Sequence, residues 1–234
     1  NFRQDKAIKR SFNEVPDGFK ETITLEDHQK AGNYTKAKLL VNHFEIIFST
    51  LIVLLWTIGG GLNWLDQYWS TKISDPILIG TIFIFSIMLI SLFIDLPFSI
   101  YRNFILEQKF GFNRMTVKTF IGDFFIEIAQ GLIFMIPLSY AILYLMNLEA
   151  IRDFWWIYVW ITFSLFLLTM SWIYPTFIAP WKNKFTPLEN TVLKNRITSL
   201  LERTGFKSDG IYVMDGSKRS SHGNAYFTGI GKNK

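Results

Sequence analysis

The sequence contains no cysteine, only three histidines, and few charges through its middle. Without cysteine there is neither a disulfide framework nor a thiolate metal site within these residues, a condition compatible with any compartment. The histidines are His28, His43 and His222. None stands at the spacing of a helical metal pair, and His28 and His43 read as ordinary polar or interfacial residues. There is no H-E-x-x-H, no G-x-S-x-G and no P-loop, so nothing within these residues carries out catalysis unaided. No secretory signal opens the chain. An opening Asn1 and an abrupt Lys234 read as an excerpt of something longer.

Charged residues make up 18% of the chain and crowd its two ends, whereas hydrophobic residues make up 50% and phenylalanine alone contributes 23. A soluble protein distributes charge over its surface, and this segregation points instead to a bilayer. The net charge of +5 does not argue for nucleic acid, because the basic residues neither cluster on one helix nor interleave with exposed aromatics. Basic cytoplasmic loops account for the same number.

A helix needs about 20 predominantly apolar residues to cross the bilayer core. Four stretches qualify: 44–65, 77–101, 120–146 and 154–179. Their apolar character runs all the way round, unlike the one-sided pattern of a soluble core helix. The loop 101–118 carries Arg102, Lys109, Arg114 and Lys118 against Glu107, while 63–76 and 147–153 are slightly acidic. The excess of Lys and Arg favours the cytoplasmic side, so both ends of the chain and the middle loop are expected inside. Trp64, Tyr68, Trp69, Trp155, Trp156, Tyr158 and Trp160 gather at the opposite ends, as interfacial aromatic belts do. The expected division is a cytosolic segment 1–43, a helical membrane domain 44–180, and the start of a further domain at 181–234.

Asp95, Asp123 and Glu127 interrupt apolar runs, toward the cytoplasmic ends of their spans. A charge costs about 2.5–3.5 kcal/mol at the bilayer centre and less near an interface. Asp123 and Glu127 share one helix face at i, i+4. Two readings stay open: interfacial salt bridges, with Arg102, Lys109 or Arg114 as partners, or a polar chamber or substrate entrance. Pro97 and Pro137 are expected to kink two spans.

At the N-terminal end, Pro16 and Gly18 mark a turn in VPDGF, and the following run reads as helix leading into the first span. After Pro180 an amphipathic helix is expected, with Leu188, Val192, Leu193, Ile197, Leu200 and Leu201 on one stripe, Pro187 in its first turn and Gly205 at its stop. IYVMD and AYFTGIG then read as two strands joined by the basic loop GSKRSSHGN. The fold class is therefore a mainly α polytopic membrane protein, with about four transmembrane helices and the opening helix and two strands of an α+β domain.

VPDGF, HQKAGNYTKAK, LPFSIYRNFILEQKFGFNRMT, PLEN and GIYVMDGSKRSSHGNAYFTGIGK occur in this order along nearly the whole chain. In this the sequence resembles the CAAX prenyl protease type 1 family of integral-membrane zinc metalloendopeptidases. The resemblance implies seven transmembrane helices around a hollow chamber, of which the four spans match the second to fifth. It also implies a cytosolic or nuclear-side zinc held by an H-E-x-x-H motif and a later glutamate, none of them among these residues. The implied partners are the lipid bilayer and a peptide or protein substrate, possibly prenylated. It further implies a substrate-binding strand at Asn224, Ala225 and Tyr226, to which an extended peptide adds through main-chain hydrogen bonds. Gly223 departs from the serine common in the family, which touches the local loop geometry.

The expected activity is peptide hydrolysis by a membrane zinc protease, to which these residues contribute no metal ligand. The composition leans toward a bacterial inner membrane, with an ER or nuclear membrane as the eukaryotic equivalent. The rival readings are a transporter or channel working through Asp95, Asp123 and Glu127, and a scaffold that docks a partner through Lys218 and Arg219.

Overall fold

The structure, a computed structural model, describes residues 2–206, 208 and 210–227. Helix α1 (Phe2–Ser11) precedes the long helix α2 (Leu25–Thr57). Thr24 caps α2, its hydroxyl accepting the Asp27 amide at 3.1 Å and satisfying one of the orphan donors of the first turn. The apolar run expected at 44–65 is not one helix. It ends at Thr57, Gly60 adopts φ 76°, and a separate helix α3 (Gly61–Ser70) follows. A side chain at φ > 0 would be strained, so glycine is what permits the break.

Helix α4 (Pro76–Ile100) runs into a π-helical turn at Tyr101–Glu107. Helix α5 (Val117–Gln130) is capped by the Thr116 hydroxyl and passes through a second π turn, Gly131–Met135, into α6 (Ile136–Asn147). Helix α7 (Trp155–Ile173) passes through a third, Tyr174–Ile178, into the short α8 (Ala179–Lys182). Pro137 has no N–H for the carbonyl four residues earlier, at Ile133, and that carbonyl lies inside the widened turn. The prolines therefore act here beside altered helical pitch. Four helices, Leu25–Thr57, Pro76–Glu107, Val117–Asn147 and Trp155–Lys182, are long and apolar enough to cross a membrane.

Contacts divide the chain into two units, residues 1–68 with 90–113, and residues 69–89 with 114–234. In the first, Ile8 and Phe12 lie against Gly32 of α2, where a Cβ would come within 3.2 Å of the Phe12 ring. A ring nitrogen of His28 bonds the Ser11 carbonyl at 2.7 Å. Further along α2, Phe48 meets Phe98 with ring centroids 5.2 Å apart, and Glu45 faces Arg102 at 3.1 Å. In the second unit, a Cβ on Gly80 would lie 2.8 Å from Leu143, and one on Gly131 would lie 2.3 Å from Met88. Small residues at these points let helices approach closely, the usual packing device where lipid removes the hydrophobic drive between helices. Trp69 donates its indole N–H to the Ser86 hydroxyl at 3.1 Å, giving the buried end of an interfacial aromatic a partner.

Beyond α8, strand β1 (Phe185–Pro187) pairs antiparallel with β2 (Tyr212–Met214), Phe185 opposite Met214 and Pro187 opposite Tyr212. Helix α9 (Thr191–Arg203) lies between them in sequence. Two expectations are corrected. Pro187 ends a strand and is not in the helix's first turn, because Asn190 is the cap, its side chain accepting the Leu193 amide at 3.0 Å. The strand IYVMD is present, but its partner precedes α9. Ala225–Phe227 pair with no strand, and the rest of AYFTGIG lies outside the described residues. The Asp215 carboxylate accepts the Lys184 amide at 2.7 Å, and the Leu188 amide bonds the Ile211 carbonyl. These bonds extend the pairing just beyond both ends of the two strands. Gly205 ends α9 at φ 67°, as expected of a C-terminal glycine.

Candidate functional site

The acidic pair of α5 is engaged by the end of the last long helix and by the chain that follows it. Arg219 Nε donates to Asp123 Oδ2 at 2.6 Å, and Arg219 Nη2 donates to Asp123 Oδ1 at 2.7 Å, a bidentate fork. The same guanidinium donates to Asn183 Oδ1 at 2.9 Å and to the Lys182 carbonyl at 2.6 Å. The Arg219 and Asp123 side chains retain only 18% and 16% of their exposure. Hydrogen bonding to Asp123 holds the Arg219 guanidinium above its ordinary pKa, outweighing the opposing effect of burial. One turn further along α5, Lys182 Nζ meets Glu127 Oε1 at 2.7 Å, in a more exposed pair.

Of the two open readings for Asp123 and Glu127, the structure shows the ion pairs. The partners, however, are Arg219 and Lys182, not the cations of the 101–118 loop. Arg102 is held by Glu45 instead, and the Lys109 ammonium lies 5.9 Å from the Phe110 ring centroid. Asp95 belongs to the other unit. It is exposed on α4 and has no hydrogen bond or ion pair among the described residues.

The segment after Arg219 is exposed from Ser221 to Phe227. It is tied at its start by the Arg219 carbonyl, which accepts the Arg114 amide at 3.1 Å. At its far end the Tyr226 hydroxyl reaches the Met214 sulfur at 3.7 Å, and Phe227 meets Phe206 edge-on with centroids 5.1 Å apart. Between these anchors, Asn224 Oδ1 accepts the Ala225 amide at 2.8 Å. Asn224, Ala225 and Tyr226 thus lie together on an exposed stretch of main chain outside the sheet. Sequence reasoning missed Arg219, Lys182 and Asn183 as members of this arrangement. Arg219 lies 96 residues from Asp123, and no local spacing signals so distant a partner.

Among the described residues no group of three or more His, Cys, Asp or Glu could hold a metal ion. His222 is exposed, and its amide bonds the Ser220 hydroxyl at 3.2 Å. A donor set for zinc is therefore not present among the described residues.

Residues 4–184 match the family model described as CAAX prenyl protease N-terminal, five membrane helices. The chain belongs to the CAAX prenyl protease family. A CAAX prenyl protease 1 homolog of Dictyostelium discoideum is 36% identical, covering 98% of this chain and 55% of that protein. The CAAX prenyl protease 1 of Saccharomyces cerevisiae is 34% identical over 95% of this chain and 51% of its own length. The crystal structure of S. mikatae Ste24p superposes with a TM-score of 0.82 at 31% identity, covering 99% of this chain and 56% of that one. The chain spans about half the length of the curated relatives it matches. It is an integral membrane protein of a protease family, and the transporter and scaffold readings find no support in these likenesses.

Proposed function

We propose that this chain is the membrane-embedded portion of a zinc metalloendopeptidase that cleaves prenylated or membrane-associated proteins. The likeness to Ste24p over 99% of the chain carries this reading. In it, the four long helices supply the membrane scaffold, and the exposed main chain at Asn224, Ala225 and Tyr226 accepts an extended substrate by strand addition. These residues by themselves do not hydrolyse peptides, since they include no H-E-x-x-H motif to bind zinc and activate water.

Asp95 supports a water-filled face within the membrane domain. An unpaired carboxylate on a spanning helix is stabilised by water or by a cation, and lipid offers neither. The Lys- and Arg-rich loop at 101–118 supports placing both ends of the chain at the cytosol.

The test is cleavage of a farnesylated CAAX peptide by the intact protein in proteoliposomes. Cleavage that a chelator abolishes and added zinc restores is the expected result. No cleavage, or cleavage indifferent to chelation, would overturn the reading.

A further inference from the structure

We infer that Asp123 is a positioning residue, acting through Arg219 to orient the substrate-holding main chain at Asn224–Tyr226. This rests on the protease reading above for the word substrate, but its geometric half does not.

Three separate pieces of chain converge on Arg219. Asp123 of α5 takes two of its side-chain donors, and Asn183 and the Lys182 carbonyl at the end of the last long helix take two more. Its own carbonyl accepts the Arg114 amide, just ahead of α5. A guanidinium held in a planar fork has its orientation fixed as well as its position, which a point-charge ammonium cannot provide. The backbone leaving Arg219 therefore departs in a set direction from the end of the membrane domain. Its first turns are local: the Arg219 and Ser220 amides both bond the Gly216 carbonyl, and the His222 amide bonds the Ser220 hydroxyl. Beyond His222, the next side-chain tie to another element is that of Tyr226 to Met214. Asn224 and Ala225 lie on the exposed main chain between this held residue and the Tyr226–Met214 contact, and Arg219 fixes the membrane-domain end of that stretch.

These residues contain no cysteine, so a single nitroxide can be placed at position 225 through Ala225→Cys once any cysteine elsewhere in the intact protein is replaced by serine. Its mobility would be read in the labelled intact protein, and KM and kcat on a farnesylated peptide in the unlabelled protein that keeps Ala225. Arg219→Gln and Arg219→Lys should loosen the label equally and raise KM about tenfold, with kcat within twofold, a tenfold change being about 1.4 kcal/mol. Asp123→Asn, which is isosteric, should do the same in part, and it keeps the test open if the Arg219 variants fail to accumulate. An unchanged label in Arg219→Gln overturns the inference whether or not the protein is a protease. Wild-type-like behaviour of Arg219→Lys overturns it too, since charge alone would then suffice. A loosened label with KM unchanged removes the link to substrate. A wild-type protein that cleaves nothing overturns the protease reading instead, and the label then decides the positioning half by itself.

Discussion

Tyr34 of α2 donates its phenolic hydroxyl to Glu107, 73 residues away, at the end of the π turn that follows α4. Its ring lies 5.1 Å from Phe110 and 4.9 Å from Phe112, and the Lys38 ammonium sits over its face at 5.1 Å. Two of the motifs that carried the family resemblance, HQKAGNYTKAK and FGFNRMT, thus meet in one aromatic cluster. Tyr34→Phe keeps the rings in contact and removes the hydroxyl. Loss of a hydrogen bond to a charged acceptor should cost about 1.5–3 kcal/mol, seen as earlier thermal unfolding in detergent. Tyr34→Ala should cost more, because the ring contacts go as well. Equal losses in the two variants would show that the hydroxyl alone matters.

Gly111, between those two phenylalanines, has φ 80° and open space where a Cβ would stand. Gly111→Ala should therefore destabilise through backbone strain alone, by about 1–2 kcal/mol. A neutral result in the same unfolding assay would mean that this turn is free to relax.

Gly131 presents the opposite case, with no backbone strain and Met88 Cε in the way. Overpacking of this kind costs about 1–3 kcal/mol. Gly131→Ala and Met88→Ala should each destabilise, and the double variant should lose less than the sum of the two. Strict additivity would show that the two residues do not compete for the same space.

The Lys182–Glu127 pair has side chains 26% and 46% exposed, against 18% and 16% for Arg219–Asp123. Glu127→Gln should cost under about 1 kcal/mol, as exposed pairs do. High salt should erase most of that difference, because screening reaches exposed charges first. A larger, salt-resistant loss would place Glu127 in a drier setting than its exposure indicates.

The orientation is testable because these residues contain no native cysteine, and any cysteine elsewhere in the intact protein can be replaced by serine. Lys72→Cys lies on the loop before the span Pro76–Glu107, and Lys118→Cys lies in the first turn of α5, just past the loop that follows that span. A membrane-impermeant maleimide should label them from opposite faces, position 118 from the cytosol. Labelling of both from one face would overturn the proposed topology.

The four spans were legible because length and hydropathy are local properties. The run ending in Asn190 and the stop at Gly205 follow the same logic, although the cap was hidden behind the more conspicuous Pro187. Gly60 interrupts its span without any change in hydropathy, so composition could not reveal the break. The pairing of Pro187 with Tyr212 and the fork between Asp123 and Arg219 depend on where distant chain returns. The acidic pair announced that it needed partners, and its i, i+4 spacing named the face. Which cations would come to that face was decided by the path of the chain after Pro180.

Three of the four long helices carry a π turn, at Tyr101–Glu107, Gly131–Met135 and Tyr174–Ile178. A π turn holds one more residue than an α turn, and one residue amounts to about 100° around the axis. Side chains beyond each turn are therefore out of phase with those before it. In Val117–Asn147, whose π turn lies between α5 and α6, a face that meets lipid in one half is turned aside in the other. Deleting a single residue inside Gly131–Met135 should restore the phase without shortening the span appreciably, and so rotate the whole of α6 onto the wrong neighbours.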